Sequence, residues 1–565
     1  MTVILKPHTK IPMMFRAQVD GRCQLQRLVK DQEPDTVKWA DEWVDKIAPV
    51  LPELGGAVRS RVYEITWRLI TNSGVDDSII RPVIGARGWA FYPGSGMKGL
   101  FRRACTKEQT ARYCGRPLAN NDWAPGILRF EGGYPVDASW TKNMVDIVHP
   151  QQAWQVESQK SSAAFAQISL YKPTLRFGIS CTETLSEEEW ETVWGIWERS
   201  IAKGLGSRVS AGYGHVKTGE GSSSVSAGLK VLYKTRLKGQ GQAPMLLDGK
   251  TGEFRPNMFR AGLRGHALRI FGGLTDERTA VRLVEGLFGG ISEGEGMVGL
   301  VGLRFQESKL ELPIFEKGKR YEKVGYEVEG ELSLLLVRDL ELEKEKVLRA
   351  LLAKLVQFAM VLGGFGKSWR RSDHRLFFEE YYEESNPLIG CHWQWDGDDA
   401  LRRNGQVRSP DKLGDFLDKV VQSARDWMGC QGVKPGRVAD WREAWHPGRV
   451  QVWGRLAEDK DESEAIRWFH GDYRRKIAGA QAAGSIYKCE SLTGKVGRVG
   501  RLWHRMYPKV RLVKDPENPQ RPKPIKTREY VELLTIFPDD SRECDNFLGF
   551  LQEGPFGFKL LWGDE

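Results

Sequence analysis

Two short segments, GSGMKGLFRR at residues 94–103 and RAGLRGHALR at residues 260–269, decide the predicted fold of this chain. They align without gaps at an offset of 166 residues. Each carries a basic residue between two glycines, and each ends on an arginine. The matched pairs are Gly96/Gly262, Met97/Leu263, Lys98/Arg264, Gly99/Gly265 and Arg103/Arg269. A second match in the same order would indicate an internal repeat.

That second match lies downstream, in two glycine-rich segments. GLGSRVSAGYG occupies residues 204–214 and GFGKSWRRSDH occupies residues 364–374, which is an offset of 160. Gly204 matches Gly364, and Gly206 matches Gly366. Two motif pairs in one order and at nearly one offset predict a domain that was duplicated and then diverged.

The elements around the motifs predict the α+β class. Each early motif follows extended sequence, at 62–70 and 89–92 in the first copy, and opens a helix, at 97–105 and 263–271. Each late motif follows a helix, at 187–203 and 340–362. Strands are predicted at 174–182, 299–305 and 331–337. Repeated strand–helix–strand units of this kind favour two tandem ferredoxin-like domains, similar to RNA-recognition motifs.

Composition sets the predicted domain boundaries. The segment TGEGSSSVSAG at residues 218–228 is a Gly/Ser linker between a first domain at 1–217 and a second at 229–390. The repeat fades near residue 380. Residues 391–565 are predicted to be a C-terminal extension or an elaborated end of the second domain.

The charge and the cysteines of the chain indicate which partners and which cellular compartment to expect. The chain has 84 Lys and Arg against 74 Asp and Glu, a net charge of +10 and a pI of about 9.0, which permits a polyanionic partner. There is no apolar run of about 18 residues and no secretory signal, so neither a membrane partner nor secretion is expected. Eight scattered cysteines without a CxxC pair predict reduced thiols in the cytoplasm and supply no zinc ligand set.

Glycine turns that open helices are suited to phosphate, because the first backbone N–H groups of a helix lack partners. The alternative is a tight turn beside a solvated basic helix face. The late loops and the segment GKVGRVGRLWHRMYPK at 494–509 add further glycines, cations and aromatic rings. The candidate RNA-binding residues are Gly96, Lys98, Arg102, Arg103, Gly206, Arg208, Tyr213, Arg260, Arg264, Arg269, Gly366, Lys367, Arg370, Arg371, Arg498, Arg501 and Arg505.

These motifs resemble those of the CRISPR-associated RAMP superfamily. FYPGSGMKGLFRRA is similar to the "PGSSLKG.LR" signature of that superfamily, and AKGLGSRVSAGYGHV is similar to its C-terminal glycine-rich loop. VDIVHPQQAW resembles a stretch of the Cmr-type subunit at the filament end, and the second copy resembles another terminal Cmr-type subunit. The resemblance covers residues 59–377. Gly96 stands where the signature has its second serine, and residues 257–261 replace the proline-glycine-serine that precedes the helix.

The resemblance implies an RNA-binding backbone subunit of a type III effector complex. Such a subunit would hold the CRISPR guide RNA and its complementary target RNA beside other effector subunits, for antiviral interference. Aromatic side chains would stack on unpaired bases. Binding alone requires no cofactor.

Two enzymatic alternatives remain open. Cleaving subunits of this superfamily keep an aspartate between the first strand and the helix-opening motif. Asp76 and Asp77 hold that place in the first copy, and Asp248 holds it in the second. They make a target-RNA endoribonuclease using Mg²⁺ or a similar ion the first alternative, although aspartates are also ordinary turn residues. The second alternative is a ribonuclease that processes repeat RNA.

Overall fold

The computed structural model divides the chain into two compact units. Unit 1 comprises Met1–His149 and Ala163–Lys230, and unit 2 comprises Pro150–Ser162 and Val231–Glu565. The predicted linker at 218–228 lies outside the described residues. The structure describes residues 35–76, 79–119, 122–148, 155–156, 165–217, 230–246, 251–292, 295–315, 323–378, 388–405, 409–470, 492–495, 498–516, 518, 520–553 and 556–564.

Unit 1 is built around a three-stranded antiparallel sheet and two long helices. Its elements are α1 (Asp35–Val44), β1 (Arg59–Glu64), β2 (Arg68–Leu69), β3 (Gly74–Asp76), β4 (Ile79–Arg81), α2 (Gly94–Ala104), β5 (Gly115–Pro117), β6 (Trp123–Pro125), β7 (Leu128–Pro135), β8 (Val145–Val148), β9 (Phe165–Ile168), β10 (Leu170–Tyr171), β11 (Thr174–Cys181) and α3 (Glu187–Ile201). The main sheet has the order β1-β11-β7. A bridge between Ile65 and Val216 sets the returning chain beside the end of β1. In chain order, the large elements are strand β1, helix α2, strands β7 and β11, and helix α3. After α3, the chain returns beside the end of β1 through this single bridge.

Amphipathic periodicity explains both long helices of unit 1. In α3, Trp190, Val193, Trp194 and Trp197 are buried on one stripe at the spacing of helix turns. Ser186 caps α3 by accepting a hydrogen bond of 3.2 Å from the Glu189 N–H. In α2, the buried side chains pack against β7 and α3.

Unit 2 contains a second sheet with the same order of elements. Its first part comprises β12 (Val231–Gln242), α4 (Asn257–Gly272), α5 (Glu277–Phe288), β13 (Gly290–Ser292), β14 (Glu295–Met297), β15 (Val301–Glu311), β16 (Ile314–Phe315), β17 (Lys323–Leu336), α6 (Leu342–Val361) and β18 (Cys391–Trp395). The strands run in the order β15-β17-β12-β18, all antiparallel. Because β18 completes this sheet, the second domain extends past the predicted boundary at residue 390.

The C-terminal part of unit 2 forms a third sheet, which the sequence analysis did not predict. It comprises α7 (Asp398–Asn404), α8 (Pro410–Cys430), β19 (Gln451–Ala457), α9 (Glu464–His470), β20 (Gly494–Lys495), β21 (Arg498–Val499), β22 (Leu502–Val513), β23 (Lys523–Ile536), α10 (Arg542–Glu553) and β24 (Lys559–Trp562). Its strand order β22-β23-β19-β24 repeats that of the second sheet. Residues 451–562 are therefore a further βαββαβ unit.

The mixture of helices and antiparallel strands confirms the predicted α+β class. The four helices predicted around the motifs are present, with their ends moved by a few residues. Within the described ranges, no helix is both long and apolar enough to cross a membrane.

Candidate nucleic-acid interface

Helix α2 separates its apolar and basic side chains. Met97 and Phe101, one helical turn apart, are fully buried. Arg102 and Arg103 are exposed on the last turn, and Lys98 is half-buried one turn earlier. The helix thus presents three cations on the side that does not pack into the core.

These three cations have no acidic partner among the residues that the structure describes. The Arg103 Nε–H donates to the Gly99 carbonyl of the same helix at 3.2 Å, and the Arg102 guanidinium lies 5.6 Å from the Trp123 ring centre. Several other cations of unit 1 are paired with carboxylates: Arg59 with Glu187, Arg61 with Glu191, Arg112 with Glu189, and Lys217 with Glu64. The charge of α2 is therefore available to attract a polyanion.

Close backbone packing holds the start of α2 in place. A Cβ added to Gly94 would lie 1.9 Å from the Phe130 carbonyl oxygen of β7, so only glycine fits at that position. A Cβ at Gly96 would meet Tyr92 at an ordinary 3.5 Å, and one at Gly99 would have nothing within 4 Å. The serine that the family signature has at the place of Gly96 would therefore also fit.

Two substitutions in α2 should change stability in opposite directions. Gly94→Ala should destabilise the helix by about 1–3 kcal/mol, since the methyl group must displace the β7 backbone. Gly99→Ala should stabilise it by about 0.5–1 kcal/mol, because alanine loses less backbone entropy in a helix. Hydrogen exchange of peptides covering residues 94–104 would measure both. Equal protection in the two variants would contradict this packing.

A short hairpin beside α2 carries a residue that the sequence analysis missed. Trp123 begins β6 and pairs with Pro117 of β5, and its side chain is 47% exposed. The Asp122 carboxylate accepts a 2.8 Å hydrogen bond from the Trp123 N–H. Asn-Asn-Asp at 120–122, a run of turn residues before an aromatic, was the available sequence signal.

Two thiols meet near the end of α2. Cys105 and Cys114 are hydrogen-bonded to each other. This bond, followed by burial, raises the pKa of Cys105. The same bond lowers the pKa of Cys114 against the effect of its burial, with help from Lys98 and Arg102, so the field of the α2 cations reaches this pair.

The first glycine-rich loop is held by internal hydrogen bonds. Gly206 has a φ of 75°, and a Cβ there would lie 2.1 Å from the Ile70 carbonyl oxygen. Its N–H bonds to the hydroxyl of Tyr92, whose pKa burial raises to about 12. Gly206 is thus required by the fold.

One predicted RNA contact of this loop, that of Tyr213, is corrected. Tyr213 is 1% exposed, and its hydroxyl donates to Asp146 at 2.7 Å, so its ring cannot stack on RNA. Arg208 donates to Gln167 at 2.8 Å, and Gln167 in turn donates to Asp146. Tyr213 therefore stabilises the loop from within, whereas the RNA contact predicted for the half-buried Arg208 stays a prediction.

The arginines of the second early motif also have structural roles, in contrast to their counterparts on α2. Arg260 donates to the Phe288 carbonyl, and Arg264 donates to the Gly289 carbonyl at 2.5 Å. They therefore satisfy carbonyls at the C-terminus of α5, where the helix dipole favours cations. Arg269 is completely buried. The prediction that Arg269 faces RNA is therefore wrong, whereas the predictions for the half-buried Arg260 and Arg264 stay predictions.

Arg269 and Arg370 belong to a buried cluster centred on Glu443. The Glu443 carboxylate accepts from Arg269 at 2.6 Å, from Arg370 at 2.8 Å and from Arg442 at 2.6 Å. Burial opposes ionisation of Glu443, but these guanidinium groups outweigh it and lower its pKa to about 2. Burial lowers the pKa of Arg269 to about 10.

Arg505 adjoins this cluster. It is 8% exposed and donates to the carbonyls of Gly363 and Arg371. Its guanidinium lies 5.6 Å from the Trp369 ring centre, so it packs inside unit 2. The RNA contacts predicted for Arg370 and Arg505 are corrected for the same reason: their side chains connect the second late loop to β22 and to the Glu443 cluster.

Two other predicted cations of unit 2 lie at the surface. Lys367 and Arg371 are exposed on the second late loop, after Gly366, whose φ of 89° matches the left-handed geometry of Gly206. Arg501 pairs with Asp539 at 3.3 Å. The side chain of Arg498 lies outside the described residues.

The predicted catalytic aspartates stay predictions. Asp76 ends β3, but its side chain is outside the described part of the chain, as are Asp77 and Asp248 entirely. The described residues contain no group of three or more His, Cys, Asp or Glu side chains that could hold a metal ion.

Comparison with known proteins gives distant structural likeness only. No family model and no curated protein matches the chain. The apo crystal structure of Cmr1 from Pyrococcus furiosus aligns with 58% of this chain and 98% of that chain, at 14% identity and a TM-score of 0.32. Similarity at this level assigns neither a fold nor a family to the chain.

Proposed function

We propose that this chain is an RNA-binding subunit of a type III CRISPR effector complex. In this proposal, tandem ferredoxin-like domains of the RAMP type hold a guide RNA and its complementary target, next to other effector subunits. Guide–target pairing would read the sequence, while the protein contacts mainly phosphates.

The observation that carries the proposal is the basic face of α2. Lys98, Arg102 and Arg103 lie together, at least partly exposed, and without acidic partners among the described residues. They also occupy the motif that resembles the RAMP signature. The βαββαβ order of the two sheets in unit 2 is the order that defines ferredoxin-like folds, which supports the architecture.

The test is the salt dependence of binding to a short single-stranded RNA. Replacing Lys98, Arg102 and Arg103 together by glutamine should weaken binding at least tenfold at low salt. It should also lower the slope of log affinity against log salt by about 2, because each lost phosphate contact on a single strand removes about 0.7. Fluorescence anisotropy at several salt concentrations would measure both quantities.

The matched control removes the same number of charges from the same unit. Arg59, Arg112 and Lys217 are exposed but paired with carboxylates, so their triple glutamine variant should bind nearly as the unchanged protein does. If the control and the α2 variant gave the same slope, net charge alone would drive binding and the α2 face would not be the RNA site.

A further inference from the structure

Trp123 stands apart from the other tryptophans of the chain. Its side chain is 47% exposed, whereas every other tryptophan that the structure describes is buried or half-buried. An indole exposed to this extent leaves part of its flat aromatic surface in contact with solvent. The position of Trp123 beside α2 suggests a partner for this surface.

The hairpin fixes the indole in place. Gly115 of β5 has a φ of 106°, and a Cβ there would lie 2.9 Å from the Trp123 Nε1 and 2.5 Å from the Ala124 carbonyl oxygen. The Nε1 edge of the indole therefore lies close to Gly115, where a side chain would collide with it and with the β6 backbone. An aromatic ring held in this way loses little conformational entropy when a ligand binds.

A cation lies against this ring. The Arg102 guanidinium is 5.6 Å from the indole centre, within the range of a cation–π interaction. Arg102 and the other two α2 cations, Lys98 and Arg103, have no carboxylate partner among the described residues of unit 1. The ligand that fits an exposed indole among unneutralised cations is an anionic chain that carries flat aromatic groups.

We propose that Trp123 and Arg102 form a stacking platform for one unpaired base of a bound RNA strand, with the flanking phosphates on Lys98 and Arg103. The inference rests on the proposed function and adds the type of contact. A base inside a duplex has both faces covered by its neighbours. The strand must therefore be unpaired, or splayed, where it crosses the β5–β6 hairpin.

The test compares two RNAs of equal length and charge, one with bases throughout and one with an abasic stretch in place of several nucleotides. Trp123→Ala should weaken binding of the complete RNA by about 5- to 150-fold, the range that loss of one base–aromatic stack produces. The same variant should bind the abasic RNA as tightly as the unchanged protein does. Trp123→Phe should restore part of the loss, since phenylalanine keeps an aromatic face.

Leu118→Ala is the control on the same hairpin. Leu118 is 42% exposed but has no aromatic face, so its loss should leave the affinity for both RNAs unchanged. A second readout is quenching of tryptophan fluorescence by iodide. Bound RNA should protect the accessible fraction in the unchanged protein, and that fraction should be missing in Trp123→Ala.

The outcomes separate the two proposals. If Trp123→Ala binds complete RNA as the unchanged protein does, while the α2 triple variant loses affinity, the stacking platform is wrong and the proposed function stands. If Trp123→Ala loses a protein partner and keeps its RNA, the indole is a protein contact, which also overturns the platform. If neither variant changes binding, the proposed RNA site on α2 fails as well.

Discussion

Glu443→Gln should destabilise unit 2 by about 3–5 kcal/mol, the usual cost of removing one partner from a buried ion pair. The carboxylate is completely buried and accepts hydrogen bonds from three guanidinium groups, with Arg505 close by. Without its charge, Arg269 and Arg370 would remain positive in a site that water does not reach. Urea denaturation followed by the fluorescence of the buried tryptophans of unit 2 would measure the loss.

Two variants make this prediction specific to the buried charge. Asp440 is 81% exposed on the side chain and lies 3.5 Å from Arg449, so Asp440→Asn should change stability by less than about 0.5 kcal/mol. Adding Arg269→Met to Glu443→Gln should recover part of the loss, because it removes one of the stranded charges. If the double variant lost as much stability as the two single variants added together, the cluster would act through packing alone.

The Glu443 cluster also explains why equivalent motif residues have different roles. Lys98 and Arg264 hold the same place in the sequence repeat, as do Arg103 and Arg269. In unit 1 the helix has an open side, and its cations stay at the surface. In unit 2, α4 is surrounded by α5, α6 and α8, and its arginines bond to carbonyls and to Glu443. A helix that carries the motif is present in both units, and the last arginine of the motif is exposed in unit 1 (Arg103) but buried in unit 2 (Arg269).

Local sequence patterns predicted the helices that carry the motifs, because apolar periodicity and glycine position depend on near neighbours. The prediction of 97–105 corresponds to Gly94–Ala104, and that of 263–271 corresponds to Asn257–Gly272. The matched glycines Gly206 and Gly366 both have positive φ. The position of a helix and the left-handed backbone at a glycine both depend on residues that are near in the sequence.

The ion-pair partner of a charged side chain could not be predicted from its near neighbours in the sequence. Arg269 and Glu443 are 174 positions apart, so nothing near the RAGLRGHALR motif indicates that its last arginine is neutralised inside the core. The third sheet was missed because it lacks the paired glycine motifs that marked the first two. Trp123 was missed because exposure is set by packing, and the composition of a chain with 20 tryptophans does not show which of them are exposed.

Unit 2 contains a second buried carboxylate that neighbouring cations keep ionised. Glu532 on β23 is completely buried. It accepts hydrogen bonds from Arg455 at 2.7 Å and from the backbone N–H of Ala465, and it contacts His504 at 3.0 Å. Burial alone would raise its pKa, but His504 and Arg455, together with Ser463, lower it to about 2.

Unit 2 should therefore lose stability as the pH falls from about 4.5 to about 2. In the unfolded chain Glu443 and Glu532 would take up protons near their ordinary pKa of 4.5, whereas in the folded chain they do so near 2. Their stabilisation is thus complete above pH 4.5 and is lost as the pH falls through the folded pKa. The shift of each carboxyl corresponds to roughly 3 kcal/mol. Urea denaturation of the whole chain at a series of pH values would measure the slope.

Glu532→Gln separates this effect from the general titration of surface carboxylates. The variant should be less stable at neutral pH, because Arg455 would lose its charged partner. Its stability should also fall less steeply below pH 4.5, since one of the two shifted groups is gone. Glu188→Gln, on the exposed first turn of α3 in unit 1, should leave the acid profile of unit 2 unchanged. A Glu532→Gln profile parallel to that of the unchanged protein would mean that the buried carboxylates do not control acid unfolding.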